Sequence, residues 1–344
     1  MRLYIDKNNI ESFIRSINSM PAEFEKCNLM LKKHFDMHLN LSKDDFAQSE
    51  LCMSWANTLL DGRGKNVIHF DAPNKVFPQR PIDSTTFGGG FDEQQNCSVY
   101  LLEDNSVAST LEAKGNYLVG EVGKEINTLL QLIIGDEDEL YTLSLPIRQH
   151  FSEGNWSGLS DAVLPCTDII ITDGYILSNP SLYKTNLVPL IKKLTTRVTY
   201  TRINIVIFCL RSTKDTKGNE HIPDWSNIRL LIKNELIAEG IDAYITFVVS
   251  DSTRDFKEHD RTIFTNYLYY ASGATMNFYD KNGIFTSDGR HFTVHSQAKE
   301  TYFVEAHNFI QDMQSLIIDI INKKKKGLIN KDYAQKLSNF LHFS

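Results

Sequence analysis

Apolar side chains at Ile10, Phe13, Ile14 and Ile17 fall at i, i+3, i+4 and i+7, the spacing of one helical face. Residues 24–35 continue that pattern. Residues 46–60 give a third helix, closed by Asp61-Gly62-Arg63-Gly64. The first 80 residues therefore read as helical. Pro73, Pro78 and Pro81 then mark an irregular connector into Gly88-Gly89-Gly90. Strands are expected at 98–102 and 117–122, with a helical turn at 109–114, and residues 127–134 are too short to assign. This makes residues 1–160 an α+β domain.

Beyond Trp156 the pattern becomes a regular alternation. Buried strands are expected at 168–171, 203–210 and 243–250, and a fourth, rich in β-branched and aromatic residues, at 262–270. A helix over 183–194 carries Leu187, Val188, Ile191 and Leu194 on one face. Another over 225–239 carries Trp225, Ile228, Leu231, Ile232 and Leu236 and is closed by Gly240. Strand–helix–strand units with such short connections imply right-handed crossovers and a mainly parallel sheet. The expected fold class is thus α/β, a mainly parallel sheet flanked by helices over residues 161–297, preceded by the smaller α+β domain. Residues 298–344 form the C-terminal helices. The long one, 298–322, ends in Lys323-Lys324-Lys325-Lys326-Gly327, a solvated end that complements the helix dipole, and a short helix follows to residue 340.

Composition changes this picture little. With 42% hydrophobic and 23% charged residues the chain is an ordinary folded protein. Its net charge of −7 means that any contact with an anionic partner must use a local patch. The five cysteines (Cys27, Cys52, Cys97, Cys166, Cys209) are scattered singly, which excludes a zinc-ribbon or disulfide framework and fits a reducing compartment. Met1-Arg2-Leu3-Tyr4-Ile5-Asp6 lacks a signal-peptide core, and no apolar run reaches the length of a membrane span. A cytoplasmic protein is expected.

Candidate chemistry centres on Lys257-Glu258-His259-Asp260-Arg261-Thr262-Ile263-Phe264-Thr265-Asn266. In a strand, His259 and Arg261 share one face. A guanidinium matches phosphate oxygens with a planar fork of donors, and an imidazole can attack phosphorus or exchange protons near neutral pH. Arg211 and Lys214 follow the second strand, and Asp251 and Arg254 follow the third. They stand at the C-terminal sheet edge where open α/β sheets bind ligands, so Arg211, Asp251, Arg254 and His259 are expected to converge there.

These residues resemble the phospholipase D superfamily motif, His-x-Lys-x4-Asp followed after six residues by Gly-Ser-x-Asn. His259 falls at the nucleophile, Arg261 at the lysine, Asn266 at the aspartate and Gly273 at the glycine; Ala274 and Met276 depart from the pattern. Asp173-Gly174-Tyr175 looks like the D-x-Y strand start of single-copy relatives. Those relatives carry His-Asp-Arg-x-Ile-x-Thr-Asn, and many occur in bacterial anti-phage systems. The resemblance covers residues 164–276 and implies a phospholipase D-like half-domain. Asn266 carries no charge with which to stabilise an imidazolium; an aspartate-to-asparagine exchange behind a serine protease histidine lowers turnover about 10⁴-fold. None of the other nine histidines has Lys or Arg two residues later, so family-type chemistry would need a dimer.

Other candidates carry a blander reading beside the chemical one. His34 and His38, with Asp36 between them, could bind a metal from one helix, but Phe35 takes the place of a metalloprotease glutamate, and no metal or cofactor is assigned. Gly88-Gly89-Gly90 lacks the Gly-Lys-Ser/Thr of a phosphate loop. Residues 135–139 lack EF-hand spacing. Tyr267, Tyr269, Tyr270, Phe278 and Tyr279 could stack on bases, but sheet packing is the stronger expectation.

The function expected is a non-catalytic or weakly catalytic module recognising phosphate or nucleic acid, within a defence assembly on the strength of the resemblance. His259, Arg261 and Asn266 form its motif, and Arg211, Asp251, Arg254 and Gly273 are the ligand-binding residues. A protein partner or homodimer is expected, and no membrane span. The alternatives are a dimeric phosphodiesterase or nuclease using His259, and a structural scaffold.

Overall fold

The computed structural model describes residues 1–60, 68–70, 97–103, 118–136, 138–179, 181–197, 202–214, 220–255, 261–331 and 341. The chain forms two compact units, Met1–Ile133 with Ser296–Val304, and Ile134–His295 with Glu305–Ser344. The division falls at Ile133 rather than near residue 160, and the stretch expected as separate C-terminal helices is shared between the two units.

The first unit is α/β, not the α+β domain its helical periodicity led us to expect. Its elements are β1 (Arg2–Asp6), α1 (Lys7–Arg15), α2 (Pro21–His34), β2 (Asp36–Asn40), α3 (Lys43–Gln48), α4 (Glu50–Leu60), β3 (Ile68–Phe70), β4 (Val99–Leu102), β5 (Leu118–Glu121) and α5 (Glu125–Leu130). The strands make a five-stranded sheet in the order β3-β2-β1-β4-β5, parallel throughout. Helices α1 and α2 each pack on α4 and α5. Leu3, Ile5, Met37, Leu39, Val99 and Leu101 are fully buried. The alternate positions form a ladder of stacked rings in register across four strands. Tyr100 lies 5.0 Å from Tyr4, Tyr4 4.7 Å from His38, and His38 4.4 Å from His69. Strands β4 and β5 match the strands expected at 98–102 and 117–122, whereas β1 and β2 are five-residue strands that adjoin longer helices within the stretch expected to be helical. His34 ends α2 while His38 stands on β2, so the two do not share a helical face.

The second unit holds an eight-stranded mixed sheet in the order β15-β11-β8-β7-β12-β13-β14-β6. It is built from β6 (Thr142–Pro146), α6 (Ile147–Phe151), β7 (Asp168–Thr172), α7 (Leu187–Leu194), β8 (Arg202–Leu210), the two-residue strands β9 (Thr213–Lys214) and β10 (Glu220–His221), α8 (Trp225–Ile237) and β11 (Asp242–Ser250). There follow β12 (Arg261–Phe264), β13 (Leu268–Ser272), β14 (His291–Ser296), α9 (Glu300–Ile321) and β15 (Gly327–Lys331). Among the described pairings β7, β8 and β11 run parallel, whereas β12 runs antiparallel to β7 and β13, and β15 to β11, which corrects the expected mainly parallel sheet. The strand expected at 262–270 is a hairpin, because Thr265 turns the chain: its Oγ1 and N–H both bond the Leu268 carbonyl. Residues 327–331, expected to lead into a helix, form β15, and 332–340 lie outside the described residues. Gly240, at φ 78°, takes the left-handed conformation that closes the turn after α8.

Helices α7 and α8 pack together, with Trp225 of α8 5.4 Å from Phe247 of β11, while Phe309 of α9 lies 5.0 Å from Phe264 of β12. Tyr267, Tyr270, Phe278 and Tyr279 are buried, so that aromatic group belongs to the core. All five cysteines are buried free thiols. Among the described residues no helix is long and apolar enough to cross a membrane.

A candidate anion-recognition edge

The three parallel strands of the second unit end together. Thr172, Leu210 and Ser250 reach one edge of the sheet, and the antiparallel neighbours begin there: Thr262 pairs with Thr172, and Gly327 with Ser250. Backbone bonds continue past the strand ends and stiffen this rim. Asp173 N–H donates to the Phe208 carbonyl at 3.1 Å, Leu210 N–H to Gly174 at 3.1 Å, and Arg211 N–H to Ser250 at 2.9 Å.

Arg211 follows β8, and its Nε donates to Asp251 Oδ1, just past β11, at 2.5 Å. Both side chains are partly exposed, so the pair adds little stability. Its consequence is orientation: Asp251 holds the guanidinium by its Nε side. Arg254 is exposed on the turn Thr253–Asp255. Its N–H bonds Ser252 Oγ at 3.2 Å, and the turn is anchored where Asp255 receives the Ser250 hydroxyl and Lys325 Nζ, the latter at 2.7 Å. Among the described residues neither Arg254 nor Lys326 has an ion-pair partner.

The lysine run is more than a solvated helix end. Lys323 takes a left-handed φ of 59°, and the N–H groups of Lys324 and Lys325 close the helix on the Asp319 carbonyl at 2.8 and 3.1 Å. The chain then turns into β15 beside the end of β11, where Asp251 N–H meets the Lys326 carbonyl at 3.4 Å. Gly327 permits this approach: a Cβ there would lie 2.5 Å from the Val249 carbonyl oxygen.

On the other side of β7, Arg261 opens β12 and donates from Nη1 to the Gly273 carbonyl at 3.2 Å. Asp173 lies beside it, buried, accepting from Tyr175 N at 2.9 Å, Thr275 Oγ1 at 2.7 Å and Met276 N at 2.7 Å. Burial pushes its carboxyl above the usual range; these bonds and the Arg261 charge pull the other way. Asp173 therefore fastens the 273–276 turn to the end of β7 and holds the acceptor of Arg261 in place. A Cβ at Gly273 would meet open space, so the glycine contributes its carbonyl rather than a close approach.

Of the residues singled out from sequence, Arg211, Asp251, Arg254, Arg261 and Gly273 come to this one edge. His259 and Asp260 lie outside the described residues, as do Gly88-Gly89-Gly90 and residues 61–65. Asn266 does not join them. From Arg261 to Phe264 the strand spans roughly 10 Å, and Asn266 lies beyond it, at the start of β7. There its Oδ1 accepts from Thr167 N at 2.8 Å and Asp168 N at 3.3 Å, while Nδ2 donates to Thr167 Oγ1 at 3.0 Å. Asp168 and Asn204 extend this buried network through a 3.1 Å bond. It ties the hairpin to the entry of β7 and is structural. Sequence reading gave no site role to Asp173, Tyr175, Lys325 or Lys326; a charged or polar residue directly after a buried apolar strand was the available signal for the first, and a lysine run ending in glycine for the last. Among the described residues no group of three or more His, Cys, Asp or Glu side chains could hold a metal. No known protein family and no curated protein matches this chain.

Proposed function

We propose that the second unit recognises a phosphate-bearing ligand along the C-terminal edge of its sheet, and that it binds rather than hydrolyses it. One observation carries the reading: Arg211, Arg254, Arg261, Lys325 and Lys326 come from four separate segments of an acidic chain to a single rim. Asp251 and Asp255 pair with two of these five cations, and the positive charge left over is what a polyanionic ligand would neutralise. Arg211, oriented by Asp251, offers the fork of donors that phosphate oxygens fit. Binding without turnover is supported by Asn266, whose amide is committed to Thr167 and Asp168 and is not available to orient a histidine at this edge.

Long-chain polyphosphate is the direct probe. Calorimetric titration is expected to show binding whose logarithm falls linearly with the logarithm of salt concentration. Arg254→Ala is expected to weaken it about tenfold. Salt-independent binding, or equal affinity in the variant, would overturn the assignment. Hydrolysis of bis-(p-nitrophenyl) phosphate by the purified chain but not by His259→Ala would overturn the binding-only part.

A further inference from the structure

The cations of the rim form a line rather than a cluster. Arg261 opens β12, Arg211 follows β8, Arg254 lies just after β11, and Lys325 and Lys326 precede β15. In the sheet these strands stand in the order β15-β11-β8-β7-β12. Neighbouring strands lie about 4.8 Å apart, so the row extends roughly 19 Å. That exceeds the reach of one phosphate or one headgroup and suits a ligand that repeats its phosphates.

The place on β7 within this row is taken by an aromatic ring. Tyr175 stands two residues past Asp173, its N–H on the Asp173 carboxylate at 2.9 Å and its carbonyl receiving Asn277 Nδ2 at 2.9 Å. Its backbone is therefore held on both sides, while the residue keeps 41% of its surface exposed. Among the exposed large apolar side chains of the described residues in this unit, it is the one aromatic. The tyrosines of the neighbouring hairpin, by contrast, are packed away. A partly exposed ring on a pinned backbone, in the same row as guanidinium groups on both sides, is the arrangement by which a protein stacks a base while cations follow the backbone.

We infer that the ligand of this edge is single-stranded nucleic acid, its phosphates along Arg261, Arg211, Arg254 and the lysines and one base stacked on Tyr175. The inference rests on the phosphate-recognition reading above and adds the base. A single strand fits because a duplex buries the faces of its bases in its own stack, leaving nothing for one protruding ring.

Fluorescence anisotropy with the full chain tests this, using labelled dT12, labelled rU12 and a 12-base-pair duplex, with polyphosphate as competitor. Single strands are expected to bind more tightly than the duplex at equal salt. Tyr175→Ala is expected to weaken dT12 and rU12 about tenfold and to leave polyphosphate competition unchanged, whereas Tyr175→Phe keeps wild-type affinity. An unaltered melting curve of Tyr175→Ala is expected from an exposed ring. If polyphosphate binds and Arg254→Ala weakens it, yet Tyr175→Ala leaves the oligonucleotides untouched or the duplex binds equally well, the base contact is wrong and the phosphate site stands. If neither polyphosphate nor oligonucleotide binds, both fall. Tyr175-dependent partition onto phosphatidylserine vesicles without oligonucleotide binding would reassign the edge to a membrane and overturn the inference.

Discussion

The two sheets of this chain carry different charged side chains at corresponding edges. In the first unit the strand order reverses beside β1, and α1 starts directly after it, the place where open α/β sheets receive anionic cofactors on a helix N-terminus. Here that place holds carboxylates. Asp6 ends β1 and accepts from Asn40 Nδ2 at 2.6 Å and from Glu103 N at 2.9 Å; Glu103 in turn accepts from Asn8 N at 2.8 Å. Glu125, just past β5, is buried against Asn9, Ser12 and the Gly123 N–H. Lys7 follows Asp6 directly, and Lys124 is paired with Glu121 at 2.8 Å. The second unit places arginines and lysines at its strand ends, where Arg211 and Lys325 are paired with Asp251 and Asp255. Shared architecture thus gives both units a comparable strand-end edge, and the side chains there set them apart.

The sharpest way to break this contrast is to reverse the charge on one edge and neutralise the other. The double variant Arg211→Glu, Arg254→Glu is expected to lose more than about a hundredfold in polyphosphate affinity, since each removes a charge-assisted contact and adds repulsion. Asp6→Asn with Glu103→Gln is expected to leave that affinity unchanged. If the second pair altered binding as much as the first, the charge contrast between the edges would not govern anion recognition.

Two further variants separate the frame from the edge. Gly327→Ala drives a methyl against the Val249 carbonyl oxygen and to 2.7 Å from Ile320 Cδ1. It is expected to cost about 2–3 kcal/mol by urea denaturation. It should also weaken polyphosphate binding, because β15 carries Lys325 and Lys326 to the rim. Asn266→Ala strands the buried Thr167 N–H and is expected to cost about 1–3 kcal/mol. Its binding should match wild type; a loss of affinity larger than its loss of stability would restore Asn266 to the site.

Legibility in the sequence followed the length and isolation of each signal. The nine-residue strands β8 and β11 read clearly as apolar runs bounded by polar turns, and so did Arg211 and Asp251, which directly follow them. Strands β1 and β2 did not, because each is only five residues long and adjoins a helix with strong periodicity. Asn266 misled for a different reason. Motif spacing counts residues, but the turn at Thr265 sends the chain back, so an asparagine five positions from Arg261 ends at the opposite edge of the sheet. Lys325 and Lys326 were visible as charge, yet what gives them a place is the pairing of Gly327 with Ser250, a contact between distant segments that no local pattern encodes.

The smallest expected effect separates the units by proton linkage. In the first unit burial pulls the His34 imidazole down to about 4, helped by the charges of Lys33 and Lys299. An unfolded chain takes up this proton near pH 6.5 whereas the folded one does not. Stability from His34 is therefore present above pH 6.5 and is lost as the pH falls toward 4. In the second unit Asp173 is shifted the other way, its carboxyl raised by burial, so the folded state holds the proton more tightly and its contribution declines as pH rises through the raised value. Glu125, also raised by burial, opposes His34 within the first unit. Urea midpoints measured from pH 7 to pH 4.5 are expected to fall less steeply in His34→Gln than in wild type. Asp173→Asn is expected to remove an opposing slope and make the decline steeper. Parallel curves for wild type and His34→Gln would mean that the imidazole is protonated in the folded state, and that its burial does not set the acid limit of the first unit.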